Sequence, residues 1–247
     1  VVPADEADVV AAIDLAREMR VPILPRGGGT SQCGQTVGEA LVIDNSRHLN
    51  KVIAFDAQAR TVEVQPGIVL DHLNAFLKPH GLWFPVDVST SAQATIGGMA
   101  GNNSCGSRSI AYGNMVHNVI GIEAILSDGV AEWFGPFGVD AAKPMATGRG
   151  GELVPRLFGI GARERDEIAR VWPKVMRRVG GYNLDVFHPQ SERPYTPDGS
   201  VNLAHLLVGS EGTLGYFRRL KLRLSPLPRA RVLGVVNYPT FWAAMDS

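Results

Sequence analysis

The chain has 247 residues, of which 45% are hydrophobic and 19% charged, and its 24 basic side chains balance 24 acidic ones. That composition suits a globular protein with a sizeable core. A formal net charge of zero leaves no electrostatic footprint for nucleic acid or an anionic membrane surface, and no apolar run reaches the roughly 18 residues of a spanning helix. The first residues, Val1-Val2-Pro3, lack both an initiator Met and a basic leader, so the sequence reads as a cytoplasmic piece of something longer.

Residues 5–20 carry an apolar stripe of Val9, Ile13, Ala16 and Leu15/Met19, with Asp5 and Glu6 at the front, and predict a helix. A strand over 21–24 leads into Pro25-Arg26-Gly27-Gly28-Gly29-Thr30-Ser31, and a second strand covers 41–44. The runs 52–55 and 61–65 flank a turn and read as a hairpin closed by Pro66-Gly67. Residues 69–78 read as a helix, and 85–114 as a long segment of small polar residues. A hairpin follows, with strands over 119–126 and 130–134. Residues 135–152 read as loop, 163–179 as a charged helix bent at Pro173, and 188–200 as polar loop. Strands are expected over 204–208, 216–224 and 232–236, and the chain stops in a starting helix. Helices mixed with hairpins argue for an α+β fold.

Three consecutive glycines after a strand make a backbone without side-chain walls, whose N–H groups can turn inward around an anion. A diphosphate is the natural guest, and a bare tight turn is the competing reading. The spacing from Gly29 to Gly34 is that of a P-loop, yet Gln35 stands where that loop needs lysine, which argues against an NTPase. No G-x-G-x-x-G opens a helix, so a Rossmann site is not supported. Ser104 is not in a nucleophile elbow. Cys33 and Cys105 are expected to be reduced, buried thiols, and the six scattered histidines suggest no metal site. The segment 87–106 and Gly209-Ser210-Glu211-Gly212-Thr213-Leu214-Gly215 both offer bare backbone for close approach to a ligand.

The order P-R-G-G-G-T-S, P-G (66–67), F-P-V-D…T-I-G-G-M…N-N-S-C-G (84–106), Y-G-N-x-x-x-N-V-I-G (112–121) and G-S-E-G-T-L-G (209–215) resembles the FAD-binding domain of the vanillyl-alcohol oxidase / p-cresol methylhydroxylase flavoproteins. Within them it is most similar to the 2-hydroxy-acid dehydrogenase branch: the glycolate oxidase FAD subunit, D-lactate dehydrogenase and D-2-hydroxyglutarate dehydrogenase. The variant I-G-G-M-x-G-N-N-S-C-G is nearest to large bacterial members with an iron–sulfur module downstream. The resemblance covers about residues 1–226.

It implies two α+β lobes, about 1–85 and 86–226, with FAD between them, and a C-terminal cap domain beginning over 227–247. It implies that Pro25, Arg26, Gly27, Gly28, Gly29, Thr30, Ser31 and Gln32 hold the pyrophosphate, with Pro66 and Gly67 beside them. Asp87, Ser91, Thr95, Gly97, Gly98, Asn102 and Ser104 would follow the pyrophosphate, ribityl chain and flavin. Gly121 and Ile122 would meet the adenosine half, and Glu211 and Gly212 would close the cleft. Relatives often attach the flavin through a His in the glycine loop. Thr30 stands there, so non-covalent FAD is expected. The implied reaction is oxidation of a 2-hydroxy acid by hydride transfer to FAD, with electrons passed to a further acceptor. A dinucleotide-binding subunit without turnover is the alternative.

No catalytic base is named within the chain. His117 and His188 qualify by type only, against a surface structural role. Arg178 is read either as a carboxylate ligand or as a solvated helix end. The opening loop also yields an expectation: Gly28→Val blocks FAD binding and leaves the protein folded.

Overall fold

The computed structural model describes residues 1–137, 150–175, 177–188, 193–230 and 232–247. Parts of the loops expected over 135–152 and 188–200 therefore lie outside the described residues. The first helix, α1 (Glu6–Met19), starts where Asp5 Oδ1 accepts the N–H groups of Ala7 at 2.8 Å and Asp8 at 3.1 Å. It ends at Arg20, in the left-handed region with φ 55°. Its buried stripe packs with Ile43, Leu49, Ile125 and Tyr216 in a small separate core. Strands β1 (Ile23–Arg26) and β2 (Leu41–Asp44) pair in parallel, so the glycine loop is the outset of a crossover between them.

Next come the hairpin β3 (Val52–Asp56) and β4 (Thr61–Val64), helix α2 (Leu70–Leu77) and the short β5 (Leu82–Trp83). Helices α3 (Ile96–Asn102), α4 (Ser109–Tyr112) and α5 (Met115–Asn118) then lead into the hairpin β6 (Val119–Ile125) and β7 (Ala131–Phe134), followed by β8 (Pro136–Phe137). The remainder holds α6 (Gly150–Arg163), α7 (Arg165–Val171), β9 (Val201–Asn202), α8 (Ala204–Leu207), β10 (Tyr216–Arg223), β11 (Ser225–Pro226) and α9 (Phe241–Met245).

The main sheet is antiparallel, in the order β3-β4-β10-β6-β7. It joins strands from before residue 85 to strands after it. Val62, Val64, Ile122, Leu220 and Leu222 meet Leu70, Leu73 and Leu77 of α2 and Ile96 and Met99 of α3 in the large core. Burying each such side chain stabilises the fold by about 1.5–3 kcal/mol. Glu6 accepts hydrogen bonds from both Arg218 and Arg219, tying α1 to β10. Burial alone would raise the Glu6 carboxyl, but those bonds and one from Gln65 outweigh it and hold the group below its usual range.

The α+β class stands, and several elements differ from the sequence reading. Residues 204–207 form a buried helix instead of a strand, because Asn202 Oδ1 accepts the Ala204 N–H at 2.9 Å and starts a turn. A short apolar run does not distinguish the two. The helix expected over 163–179 ends at Val171, since Pro173 forces Trp172 into an extended conformation with ψ 132°. Residues 232–236 pair with no strand among the described residues, and Val232 is 95% exposed. Helix α3 lies in the small polar segment 85–114, α6 begins inside the stretch that reads as loop, and Cys33, expected to be buried, is exposed because it sits in the loop between β1 and β2.

Candidate cofactor cleft

The glycine loop, residues 88–105 and residues 211–217 enclose a cleft of about 380 Å³. Its walls are drawn together by glycines. A Cβ on Gly27 would lie 2.0 Å from Thr95 Oγ1, and one on Gly28 would lie 2.1 Å from the Gln93 carbonyl oxygen. A Cβ on Gly97 would lie 2.5 Å from the Pro66 Cβ. The glycines of both segments therefore serve close backbone packing, wall against wall.

The backbone amides of the two segments are used differently. At the start of α3, Ile96 donates to Ile68 C=O at 2.9 Å and Gly97 to Pro66 C=O at 2.8 Å. Gly98 donates to the Thr95 hydroxyl at 3.4 Å, and Met99 to Thr95 C=O at 2.8 Å. Among the described residues, by contrast, the N–H groups of Gly27 through Gln32 make no hydrogen bond. These residues line an open cleft, where a ligand or solvent can satisfy their amides. Beside them, Arg26 Nε is buried and finds no partner among the described residues. Successive free amides and a cation form a cradle for a diphosphate.

Of the sequence-predicted residues, Pro25, Arg26, Gly27, Gly28, Gly29, Thr30, Ser31, Gln32, Pro66, Thr95, Gly97, Gly98, Asn102, Ser104, Glu211 and Gly212 all line this cleft. Five others do not. Gly67 is packed against the carbonyls of Asn45 and Leu49 and closes a structural turn. Asp87 organises the 106–108 loop, accepting from the Ser107 hydroxyl at 2.9 Å and the Arg108 N–H at 3.1 Å. Ser91 C=O accepts from Asp71 N–H at 3.2 Å. Gly121 makes room for the Trp133 ring on the neighbouring strand, and Ile122 is fully buried in the core.

The cleft also takes in Asn45, Gln35, Thr36, Asn103, Val179 and Phe217, which sequence reasoning left out. Asn103 stands inside the N-N-S-C-G motif and was within reach of that reading. Asn45, Val179 and Phe217 carry no local signal and come in through tertiary packing. One string of hydrogen bonds crosses the second wall. Ser104 Oγ donates to Asn102 Oδ1 at 3.0 Å, and Asn102 Nδ2 donates to Glu211 Oε1 at 2.9 Å.

None of the catalytic candidates by type lines the cleft. Arg178 corrects both of its sequence readings. It is 7% exposed, lies 3.4 Å from Asp185, donates to Arg193 C=O at 2.8 Å and covers the Tyr195 ring. Burial pushes the Asp185 carboxyl up, although Tyr195 and Arg178 both act to lower it. His117 is half-buried, its Nδ1 accepting the Asn114 N–H at 3.1 Å, and burial lowers its pKa to about 3. His188 ends a short 3₁₀ turn. His205 is buried, with Nε2 3.1 Å from Val119 C=O, and burial lowers it to about 4. Both His117 and His205 line a separate cavity of about 340 Å³ with Tyr195. Among the described residues no cluster of three metal-ligating side chains occurs, and no helix is long and apolar enough to cross a membrane.

Comparison with known proteins brings a family to this geometry. The model of a family described as the FAD binding domain matches residues 1–135. A D-2-hydroxyglutarate dehydrogenase of Pseudomonas putida is 38% identical over 251 residues, covering 99% of this chain and 24% of its own. One of Pantoea ananatis is 34% identical over 248 residues, covering 98% and 24%. The chain thus spans about a quarter of the length of these relatives. A solved structure of alkyldihydroxyacetonephosphate synthase superposes with a TM-score of 0.60 at 21% identity, covering 93% of this chain and 32% of that one. It shares the fold.

Proposed function

The chain belongs to the FAD binding domain family, and from that premise we propose that it is the cofactor-binding part of an FAD-dependent 2-hydroxy-acid dehydrogenase. The observation that carries the reading is the row of free amides from Gly27 to Gln32 beside Arg26. It is a cradle for a diphosphate, in the loop to which the sequence resemblance assigns the FAD pyrophosphate. Arg26 and the loop amides hold the two phosphates. Thr95, Asn102 and Ser104 face the rest of the molecule, and Glu211 and Gly212 close the cleft. What FAD supplies when bound is acceptance of a hydride from the carbinol carbon of the acid.

The chain's own residues bind and orient the cofactor. A proton acceptor and carboxylate ligands for the substrate are assigned to parts of the longer protein, because His117, His188 and Arg178 are all away from the cleft. D-2-hydroxyglutarate leads the substrate class on the strength of the two relatives, ahead of D-lactate and glycolate. We take residues 1–226 as the FAD-binding unit, with lobes of about 1–85 and 86–226, and 227–247 as the start of the next domain. The exposure of Val232, Leu233, Phe241 and Trp242 supports a boundary there. Electron transfer to a further acceptor, an iron–sulfur module downstream and a cytoplasmic or membrane-peripheral site complete the reading.

Thr30 in the glycine loop makes the attachment non-covalent. Protein reconstituted with FAD is expected to absorb near ~450 nm and to release its flavin into the supernatant on acid precipitation. Protein that stays colourless rejects the cofactor assignment, and flavin in the pellet rejects the non-covalent one.

A further inference from the structure

We propose that Asn103 is a positioning residue for the bound dinucleotide, its carboxamide tying the end of α3 to the start of α5 and to the 178–179 segment; this rests on the reading of the cleft as the FAD site. Asn103 is 1% exposed, polar and in the left-handed region, with φ 54° and ψ 47°. It ends α3, its N–H bonding Ala100 C=O at 3.1 Å. Its Oδ1 accepts the N–H of Val116 at 3.1 Å, at the start of α5. Its Nδ2 donates to the carbonyl of Arg178 at 3.4 Å. Arg178 is itself fixed by Asp185, and the next residue, Val179, lines the cleft.

The groups on either side of Asn103 are the ones that meet the ligand. Asn102 and Ser104 line the cleft and are bonded to one another and to Glu211. The last turn of α3 also carries the 209–212 loop, since Gly209 donates to Ala100 C=O and Glu211 to Gly101 C=O, each at 2.9 Å. Asn103 therefore ties the end of α3, whose last turn carries the 209–212 loop, to α5 and to the 178–179 segment. Both polar atoms of its side chain are engaged within the protein. It acts on the dinucleotide through its neighbours, by holding them in the binding geometry before the ligand arrives.

Asparagine fits the position for two separable reasons. It tolerates the left-handed backbone, and its side chain offers one acceptor and one donor. Asn103→Gly keeps the backbone conformation and removes both bonds. Asn103→Asp keeps the shape and the acceptor, but turns an oxygen toward the Arg178 carbonyl.

The test titrates FAD into the full chain and into both variants, following flavin fluorescence, and records the visible circular dichroism of the flavin at saturation. Positioning predicts that both variants bind FAD about tenfold more weakly and that the saturated flavin band changes shape. Binding within about twofold of wild type with an unchanged band overturns the proposal, even where the melting temperature of the apo form falls, because that pattern is a purely structural role. If Asn103→Gly fails to fold, Asn103→Asp decides on the same two readouts. A wild-type chain that binds no FAD contradicts the proposed function instead, which keeps the two failures apart.

Discussion

The two glycine-rich walls of the cleft treat their backbone in opposite ways. Along residues 96–99 each N–H is paired within the protein, whereas along residues 27–32 none is, among the described residues. The first wall is built to hold and the second to bind. Glycine serves both, for the same steric reason: Gly27, Gly28 and Gly97 each sit where a Cβ would enter a neighbour's van der Waals radius. The glycine count therefore marks where the walls touch, and the free amides mark where the proposed diphosphate would sit.

That distinction revises the expectation for Gly28. Its Cβ would strike the Gln93 carbonyl, which belongs to the protein and not to the anion path. Gly28→Val is now expected to destabilise the apo protein by about 3 kcal/mol or more, beyond the usual cost of overpacking because the obstacle is backbone, and to lose FAD binding as a consequence. Thermal melting without FAD checks it. An unchanged melting temperature with FAD binding abolished would restore direct intrusion on the ligand and undo the contrast drawn here.

Asn183 and His205 form a buried polar layer around α8. Asn183 donates to the carbonyls of His205 and Val208 at 2.9 Å each, and His205 is kept neutral by burial, with its pKa at about 4 against 6.5 for a free histidine. Between those values the unfolded chain binds more protons than the folded one, so stability falls as pH falls through that window and is intact above 6.5. The loss amounts to about 3 kcal/mol from this histidine. His117, lowered to about 3, adds in the same direction. Urea unfolding at pH 7 and pH 4 measures the drop, and His205→Gln should flatten it. A drop of the same size in that variant would place its origin elsewhere.

A smaller effect belongs to the binding wall alone. The Arg26 side chain has no hydrogen bond or ion pair among the described residues. Arg26→Gln should weaken FAD binding about tenfold through loss of a charge-assisted contact, while apo stability moves by no more than about 0.5 kcal/mol. A large loss of stability would make Arg26 a structural residue and erase the difference between the walls.

The sequence made the binding wall legible because its motif is local. Each of Pro25 through Gln32 falls in the cleft, as do Thr95, Gly97, Asn102 and Glu211. Where it went astray, a local pattern had two tertiary outcomes. The resemblance puts the Gly121 backbone near the adenosine half of FAD, and the structure shows this glycine accommodating Trp133, a cross-strand contact. Asp87 reads as a polar ligand group and turns out to fasten the loop 106–108. Arg178 is charged beside two glycines, which suggests exposure, yet Asp185 and the Tyr195 ring allow it to be buried. The hairpins and α1 were readable from periodicity and capping. α8 was not, because an apolar run buried on all sides has no period.

The central claim is that the diphosphate of FAD sits on the amides of Gly27 to Gln32. Amide hydrogen exchange of the chain with saturating FAD, compared with saturating riboflavin, tests it most directly, since riboflavin carries the ring and lacks the diphosphate. FAD is expected to protect Gly27 to Gln32, and riboflavin to leave them exchanging as fast as in the apo protein. Bound FAD with unchanged exchange across that loop would contradict it.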